Sequence, residues 1–199
     1  MNRSPPLEHC TARFFMKLLL TLSTLLARIS VKTGRVAAWA GCLLMLVIVA
    51  DVTSRRLFST GSTMTQELEW HLHAVLFLLC LGYGYIANSH VRIDVIRDRL
   101  STRARHWIEL FGCLVFLLPF YVLMIYFGID FVRLSYEQGE GSPNVGGLSH
   151  WWVIKSIMLL GFVVMLLAGT AVLFRVVVAL FGDADERIAA AEAEERQKL

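Results

Sequence analysis

The chain has 199 residues, of which 56% are hydrophobic and only 18% are charged. A soluble domain normally carries about 25% charged residues, so these proportions exclude an ordinary water-soluble fold and indicate an integral membrane protein. The net charge of +3 is small and does not by itself indicate a class of binding partner. We expect no nucleic-acid partner.

Three of the four cysteines lie inside apolar runs, and no two cysteines form a close pair in the sequence. This spacing predicts neither a disulfide framework nor a thiolate metal site. We expect Cys42, Cys80 and Cys113 to be small, buried residues of membrane helices.

The N-terminal region divides into a polar segment, residues 1–12, and an amphipathic segment, residues 13–33. Residues 1–12 contain two prolines and are expected to be disordered. In residues 13–33 the apolar side chains recur on one helix face: Phe15, Leu18, Leu19, Leu22, Leu25, Leu26 and Ile29. The opposite face carries Arg13, Lys17, Thr21, Thr24 and Arg28. This pattern predicts a helix that lies flat in the headgroup region.

A secretory signal peptide is the alternative interpretation of this segment, because Lys17 precedes a short leucine-rich run. However, no A-x-A-like cleavage site follows the run. Three further cations come next instead: Arg28, Lys32 and Arg35.

Four apolar runs follow and predict a membrane domain over residues 34–181. A helix needs about 20 residues, at about 1.5 Å each, to cross a hydrocarbon layer of about 30 Å. Runs of this length place the spans at about residues 36–58, 66–88, 107–131 and 151–174. The predicted fold class is therefore all-α, an integral membrane four-transmembrane-helix bundle with an N-terminal interfacial amphipathic helix. Residues 182–199 are charged and helix-prone and are expected to form a solvated cytoplasmic tail.

Several single residues have predicted roles at the ends or in the middle of these spans. Asp51 and Arg55 stand at i and i+4, so they can pair at the far interface. Ser101 is a suitable N-cap for the third span, and Pro119 predicts a kink near the middle of that span. Small residues are expected to permit close helix approach: Gly41, Gly82, Gly84 and Gly161.

The basic residues are distributed unevenly about the four spans. Fifteen of the 19 lysines and arginines lie in the N-terminal segment, between the second and third spans, or after the fourth span. The positive-inside rule therefore predicts that the N and C termini and the middle connection are cytoplasmic. The glycine-containing loop EGSPNVGGL, residues 140–148, would then face outward.

Polar side chains at the start of the second span form the first candidate site: Glu67, Glu69, His71 and His73. His71 and His73 are about 200° apart around a helix axis, so they cannot bind one metal ion together. Glu69 and His73 share a face, but two ligands make a poor metal site. Two interpretations stay open: an interfacial polar cluster, or a contact with a partner protein.

The segment HVRIDV, residues 90–95, is the second candidate. Its charged residues, Arg92 and Asp94, lie between a span and a basic helix. Either the segment sets topology by binding anionic headgroups, or it docks a partner.

The spans themselves show no group suited to chemistry. A haem protein needs histidines at membrane depth on facing helices, whereas the histidines here fall near span ends. Pathways for polar solutes usually contain charged residues, and the apolar cores contain almost none. No nucleophile elbow, Walker loop or nucleotide fingerprint occurs. The sequence therefore predicts a scaffold, anchor or subunit rather than an enzyme, with no cofactor and no metal.

An ordered series of motifs covers nearly the whole span region. It comprises DVTSRRLF at the end of the first span, QELEWHLHAVLFLLCLGYGYIANSHVRIDV through the second, and the basic connection after it. This series resembles the small permease subunit (DctQ-like) of tripartite ATP-independent periplasmic (TRAP) transporters. The stretch GEGSPNVGGLSHWWVIKSIMLLGF further resembles the mannitol/chloroaromatic-type branch of that family.

The resemblance implies a multi-pass subunit of the bacterial inner (cytoplasmic) membrane with two protein partners, a large multi-span permease subunit and a periplasmic substrate-binding protein. It implies that the large subunit carries the substrate and sodium sites and moves by an elevator-type motion. The small subunit would pack against the static part of the large one, anchored by membrane lipid. Transport would be ion-gradient-driven uptake, or symport, of an organic acid. The acidic tail matches no hallmark of the family.

Within such a complex, we expect two groups of residues to contact a partner. The group near the outer face is Glu67, Glu69 and Trp70, and the group near the inner face is His90, Arg92 and Asp94. Two other classes of protein stay open on the residues alone. One is a haem-binding or anchoring subunit of a membrane oxidoreductase, and the other is a free-standing anchor or small channel.

Overall fold

The computed structural model describes residues 7–89 and 100–198. Five helices account for nearly all of these residues: α1, Leu7–Phe58; α2, Thr63–Ile86; α3, Thr102–Glu137; α4, Trp152–Phe181; and α5, Ala184–Lys198. No strand occurs in these two ranges, so the predicted all-α fold class is confirmed.

Three of these helices are long and apolar enough to cross a membrane, namely α1 from Arg13 onward, α3 and α4. Helix α2 has 24 residues, which is sufficient length, but it is not among the three. Its first turns carry two carboxylates and two histidines, and these groups lower its apolar character. The second predicted span, 66–88, coincides with α2, and the total of four spans stays a prediction.

Helix α1 runs without interruption through 52 residues. The sequence predicted an interfacial helix, 13–33, followed by a separate span, and the structure instead joins the two segments through Gly34. A helix of this length is about 78 Å long, whereas a bilayer with its headgroups is about 40–45 Å thick. Much of α1 therefore lies outside the hydrocarbon layer. Its interfacial placement stays a prediction.

Helix α3 begins where its sequence suggests, and it contains a π-helical segment next to its proline. Ser101 is its N-cap, as predicted, and the hydroxyl oxygen accepts a hydrogen bond of 3.3 Å from the amide of Ala104. Within α3, residues Gly112–Leu117 form a π-helical segment directly before Pro119. A proline has no amide hydrogen to donate to the preceding turn, and a widened turn accommodates the lost bond.

The core of the molecule lies along α4, which packs against α1, α2 and α3. Among the described residues it supplies more buried positions than any other helix: Gly161, Val164, Met165, Ala168, Gly169, Ala171, Val172, Arg175, Val176, Val178 and Leu180. The main hydrophobic cluster joins several of these to Ala27, Ile86 and Cys113 of the other helices. Of the cysteines expected to be buried, Cys113 is buried, whereas Cys42 is exposed at the surface of this chain.

Close approach of α2 to α4 depends on two glycines that face each other's helix. A Cβ atom at Gly82 would lie 2.8 Å from Val164 Cγ1 and 3.1 Å from the Val164 carbonyl oxygen. A Cβ atom at Gly161 would lie 3.0 Å from both the Cβ and the carbonyl oxygen of Leu78. The predicted role of these two glycines is confirmed, and Gly41 lies in similar close contact with Leu76. Gly84 stays a prediction.

A face of small residues on the N-terminal half of α1 packs against α4, and the sequence did not reveal it. The hydroxyl of Ser23 donates a hydrogen bond of 2.7 Å to the carbonyl oxygen of Ala171. The hydroxyl of Ser30 donates one of 3.3 Å to the carbonyl oxygen of Val164. Ala27 lies between the two serines and is fully buried. Most residues of the predicted apolar face lie at the surface of the chain: Phe15, Leu18, Leu22, Leu25 and Ile29.

Candidate functional site

The carboxylate of Glu67, a predicted partner contact, is buried inside the chain. Only 1% of its surface is exposed. Its Oε1 atom accepts hydrogen bonds from the hydroxyl of Ser142 and, at 3.0 Å, from the side-chain amide Nδ2 of Asn144. Its Oε2 atom accepts a bond of 2.7 Å from the backbone N–H of Leu148. Glu67 therefore fastens the first turn of α2 to the loop that precedes α4.

Glycines allow this loop to close tightly around the carboxylate. Gly146 has a φ of +74°, which side-chain-bearing residues rarely adopt. A Cβ atom at Gly147 would lie 2.7 Å from Oε1 of Glu67 and would overlap Ser142. A backbone bond of 2.9 Å from Ser142 N–H to the Leu148 carbonyl closes the loop. These contacts close the loop. It lies at the end of the bundle that is predicted, from the distribution of lysine and arginine, to face outward.

A second polar contact secures the base of the same loop. The ammonium group of Lys155 on α4 pairs with the carboxylate of Glu140 and lies 3.9 Å from the ring centre of Phe131. The backbone N–H of Trp151 donates a bond of 2.9 Å to the carbonyl oxygen of Glu140. The ammonium partner holds the pKa of Glu140 below its ordinary 4.5. The loop is thus tied to both α2 and α4.

The other side chains of the first turns of α2 differ in exposure. Trp70 exposes 61% of its surface, so it is available to a partner or to lipid. Glu69 is partly buried, and its Oε1 atom has no hydrogen-bond partner among the described residues. His71 Nδ1 lies 2.6 Å from the carbonyl oxygen of Glu67, and its ring meets Trp151 edge-on at 6.2 Å. No group of three potential metal ligands occurs in residues 7–89 or 100–198.

The inner-face group, His90, Arg92 and Asp94, lies outside the described residues, and its role stays a prediction. The interfacial pair lies within them. Arg55 Nε is 2.6 Å from Asp51 Oδ2, and the Asp51 side chain is only 7% exposed. Asp51 also borders a small cavity of about 280 Å³ formed with the α1–α2 turn.

At the opposite end of the bundle, α5 folds back onto the helices rather than standing free in solvent. Ala190 is buried in a cluster with Leu19 of α1 and Val178 of α4. Glu194 receives a hydrogen bond of 3.2 Å from the side-chain amide of Asn88. The guanidinium of Arg175, which is 7% exposed, lies 3.7 Å from the other carboxylate oxygen of Glu194.

The tight turn between α4 and α5 has its own stabilising contacts. Asp183 N–H donates a bond of 3.0 Å to Glu186 Oε2, which is one half of a capping box. Arg187 donates to the carbonyl oxygens of Leu180 and Gly182 at the end of α4. Asp183 also pairs with Arg13 of α1 at 3.1 Å. The D-x-x-E spacing could have indicated the helix start from sequence, but the packed face of α5 has no comparable signal.

A broad apolar surface remains on the outside of the bundle. Helix α3 exposes aromatic side chains along much of its length, and α1 exposes Trp39 and Met45. The exposed α3 residues include Phe116, Phe120, Tyr126 and Phe127. Surface of this extent requires either lipid or a partner protein to cover it.

Comparison with known families identifies most of this bundle. The family model described as "Tripartite ATP-independent periplasmic transporters, DctQ component" matches residues 44–179. The matched range begins in the second half of α1 and ends near the end of α4, so it contains the Glu67 loop and the contacts at Gly82 and Gly161. A search of curated proteins found no match.

Proposed function

Since this chain belongs to the DctQ family, the small component of tripartite ATP-independent periplasmic transporters, we propose that it serves as a static scaffold for the large permease subunit. Members of the family work with a large permease, DctM, and a periplasmic binding protein. The scaffold does not move with the substrate-carrying domain. It enlarges the stationary part of the complex in the membrane.

The observation that carries this proposal is the contrast between closely packed helices inside the bundle and a broad exposed apolar surface outside it. Helices α2 and α4 approach closely at Gly82 and Gly161, and buried serine hydroxyls join α1 to α4. Such contacts oppose sliding of one helix past another. Outside them lies the apolar surface of α1 and α3, which lipid and a large apolar partner can cover.

The substrate, in this proposal, is an organic acid that the periplasmic binding protein delivers to the large subunit. Uptake is driven by an ion gradient, and this chain contributes no substrate site. The motif GEGSPNVGGLSHWWVIKSIMLLGF supports a mannitol/chloroaromatic-type branch, which stays a prediction. The bias of lysine and arginine supports an inner-membrane protein whose N and C termini are cytoplasmic.

Partner contacts are proposed at both ends of the bundle. Near the outer face, Trp70 is the strongest residue, because a large exposed aromatic side chain is a frequent energetic centre of an interface. Glu67 supports this surface indirectly by fixing the loop beside it. Near the inner face, His90, Arg92 and Asp94 stay the proposed contacts.

Co-purification with the large subunit and uptake by reconstituted vesicles test the scaffold. Trp70→Ala is expected to lower recovery of the complex about tenfold or more. Ile188→Ala removes an exposed apolar side chain of α5, 59% exposed and outside the apolar surface of α1 and α3, and serves as the control. Arg92→Ala with Asp94→Ala tests the inner contact in the same assay. An intact complex with unchanged uptake in all these variants would contradict the proposed contacts.

The two rival classes have separate tests. A visible absorption spectrum of the purified protein with haem bands would favour the oxidoreductase subunit, which no observation here supports. Stable, homogeneous purification from native membranes without any large subunit would favour a free-standing anchor.

A further inference from the structure

A groove with a volume of about 750 Å³ runs between the N-terminal half of α1 and the folded-back helix α5. Its walls combine basic and apolar side chains. The α1 wall consists of Leu20, Thr24, Leu25, Arg28, Ile29, Val31, Lys32 and Arg35, and the α5 wall of Ala189, Glu192, Ala193 and Arg196. None of these residues lies in the range 44–179 that the family model matches.

Positive charge dominates the groove. Arg28, Lys32 and Arg35 recur at i, i+4 and i+7, which places them on one side of α1. Arg196 faces them from α5. The one carboxylate among the lining residues, Glu192, already pairs with Arg196 at 3.0 Å. The α1 wall therefore attracts an anion.

The same groove also offers an apolar surface to its ligand. Leu25 and Ile29 are 55% and 42% exposed, although they lie next to the cations. Arg35 directly precedes the apolar run of α1 that begins at Val36. The cations thus stand where α1 enters the hydrocarbon layer, which is the depth of lipid phosphates. A ligand that combines a phosphate with a hydrocarbon chain matches both the basic and the apolar side chains of the α1 wall.

We propose that this groove binds an anionic phospholipid, with the headgroup phosphate at Arg28 and Lys32 and an acyl chain that passes Ile29 toward the apolar run beginning at Val36. Basic pockets between helices on the cytoplasmic side suit such headgroups. Helix α5 supplies the second wall, and its contacts through Ala190 and Asp183 hold that wall in place. The lipid joins the long N-terminal helix to the folded tail.

Lipid titration of the full chain, followed by native mass spectrometry, tests the proposal. The protein is delipidated in detergent and titrated with phosphatidylglycerol or phosphatidylcholine. Wild-type protein is expected to retain phosphatidylglycerol preferentially. Arg28→Gln with Lys32→Gln is expected to weaken that binding about 30-fold, which corresponds to about 2 kcal/mol for two cations near an anionic lipid.

Two further variants make the result specific. Lys17→Gln with Arg56→Gln removes the same charge from positions outside the groove and is expected to keep the affinity. Arg28→Lys with Lys32→Arg exchanges the cations and is expected to keep most of it. A melting measurement on each variant checks that folding is unchanged, which is expected because Arg28 and Lys32 are surface side chains.

Three outcomes would overturn the proposal. Equal weakening by both charge-removing pairs would indicate general surface attraction. Equal affinity for glycerol phosphate, which has no acyl chain, would indicate an anion site instead of a lipid site. Complete displacement of the lipid when the large subunit is added would assign the groove to that partner.

Discussion

Helices α3 and α4 have nearly the same mean hydropathy in their most apolar windows, 2.4 and 2.6, yet they differ in how much of each helix is buried inside the chain. In α4, 39% of that window is buried inside the chain, whereas in α3 only 6% is buried. The helices differ in the size of their side chains. Helix α4 places Gly161, Ala168 and Gly169 against its neighbours, and α3 presents Phe116 and Phe127 to the outside.

This difference shows that apolar character and burial are separate properties in a membrane bundle. Lipid is as apolar as a leucine side chain, so hydrophobicity does not decide which face of a helix meets protein. Small residues decide it, because they allow two backbones to approach and gain packing contacts. Changes at small interior residues should therefore cost more than similar changes on α3.

The largest expected effect is at the crossing of α2 and α4. Gly161→Ile would force a side chain against the backbone of Leu78, and overpacking of this kind costs about 1–3 kcal/mol. Gly112→Ile is the matched control, because no atom lies within 4 Å of a Cβ at that glycine of α3. Thermal melting in detergent checks the difference. Equal melting temperatures for the two variants would contradict the tight crossing.

The loop before α4 should give the next largest effect. Glu67→Ala leaves the donors of Ser142, Asn144 and Leu148 without their shared acceptor, so the loop should open. Recovery of folded protein is expected to fall several-fold, and the loop should become sensitive to protease. Glu137→Ala, which removes an exposed carboxylate near the end of α3, is the control. Unchanged protease resistance in Glu67→Ala would show that the carboxylate does not hold the loop.

A smaller effect is expected where α1 meets α4. Ser23→Ala removes the interhelical hydrogen bond to the Ala171 carbonyl, and such bonds within membranes contribute about 0.6 kcal/mol on average. Thr21→Ala is the control, since its hydroxyl donates a hydrogen bond to the carbonyl oxygen of Lys17 within its own helix. Chemical or thermal unfolding in detergent measures both. A loss in the threonine variant as large as that in the serine variant would argue against a specific α1–α4 bond.

The smallest effect should appear in the pH dependence of stability, at the ion pair that joins the α3–α4 loop to α4. Because the pKa of folded Glu140 lies below its ordinary 4.5, the pair contributes its full stability above about pH 4.5. That contribution is lost as the pH falls through the lowered pKa. Melting curves between pH 6 and pH 3 should therefore decline less in Glu140→Gln than in the wild type.

Glu137→Gln serves as the control for this pH dependence, because Glu137 pairs with Arg133 at an exposed position. It should keep the acid decline of the wild type. An identical decline in Glu140→Gln would remove the Lys155 pair as its cause.

The sequence by itself determined the helical class, the approximate helix positions and the family. Apolar runs of helical length can form only helices in lipid, because each backbone N–H and C=O must be satisfied within its own segment. Local signals such as Ser101 and the pair of Asp51 and Arg55 were equally readable, since they depend on neighbours one turn away.

Only the tertiary structure decided which helix faces pack against each other and which polar side chains form hydrogen bonds inside the chain. Glu67 reads as a surface carboxylate, and its burial depends on a loop 75 or more residues further along the chain. Ser23, Ala27 and Ser30 form no apolar stripe, and α5 carries mostly charged residues, yet both pack against the bundle. The physical reason is that helix contacts in lipid depend on shape and hydrogen bonding between distant segments. Hydropathy along one segment does not record either property.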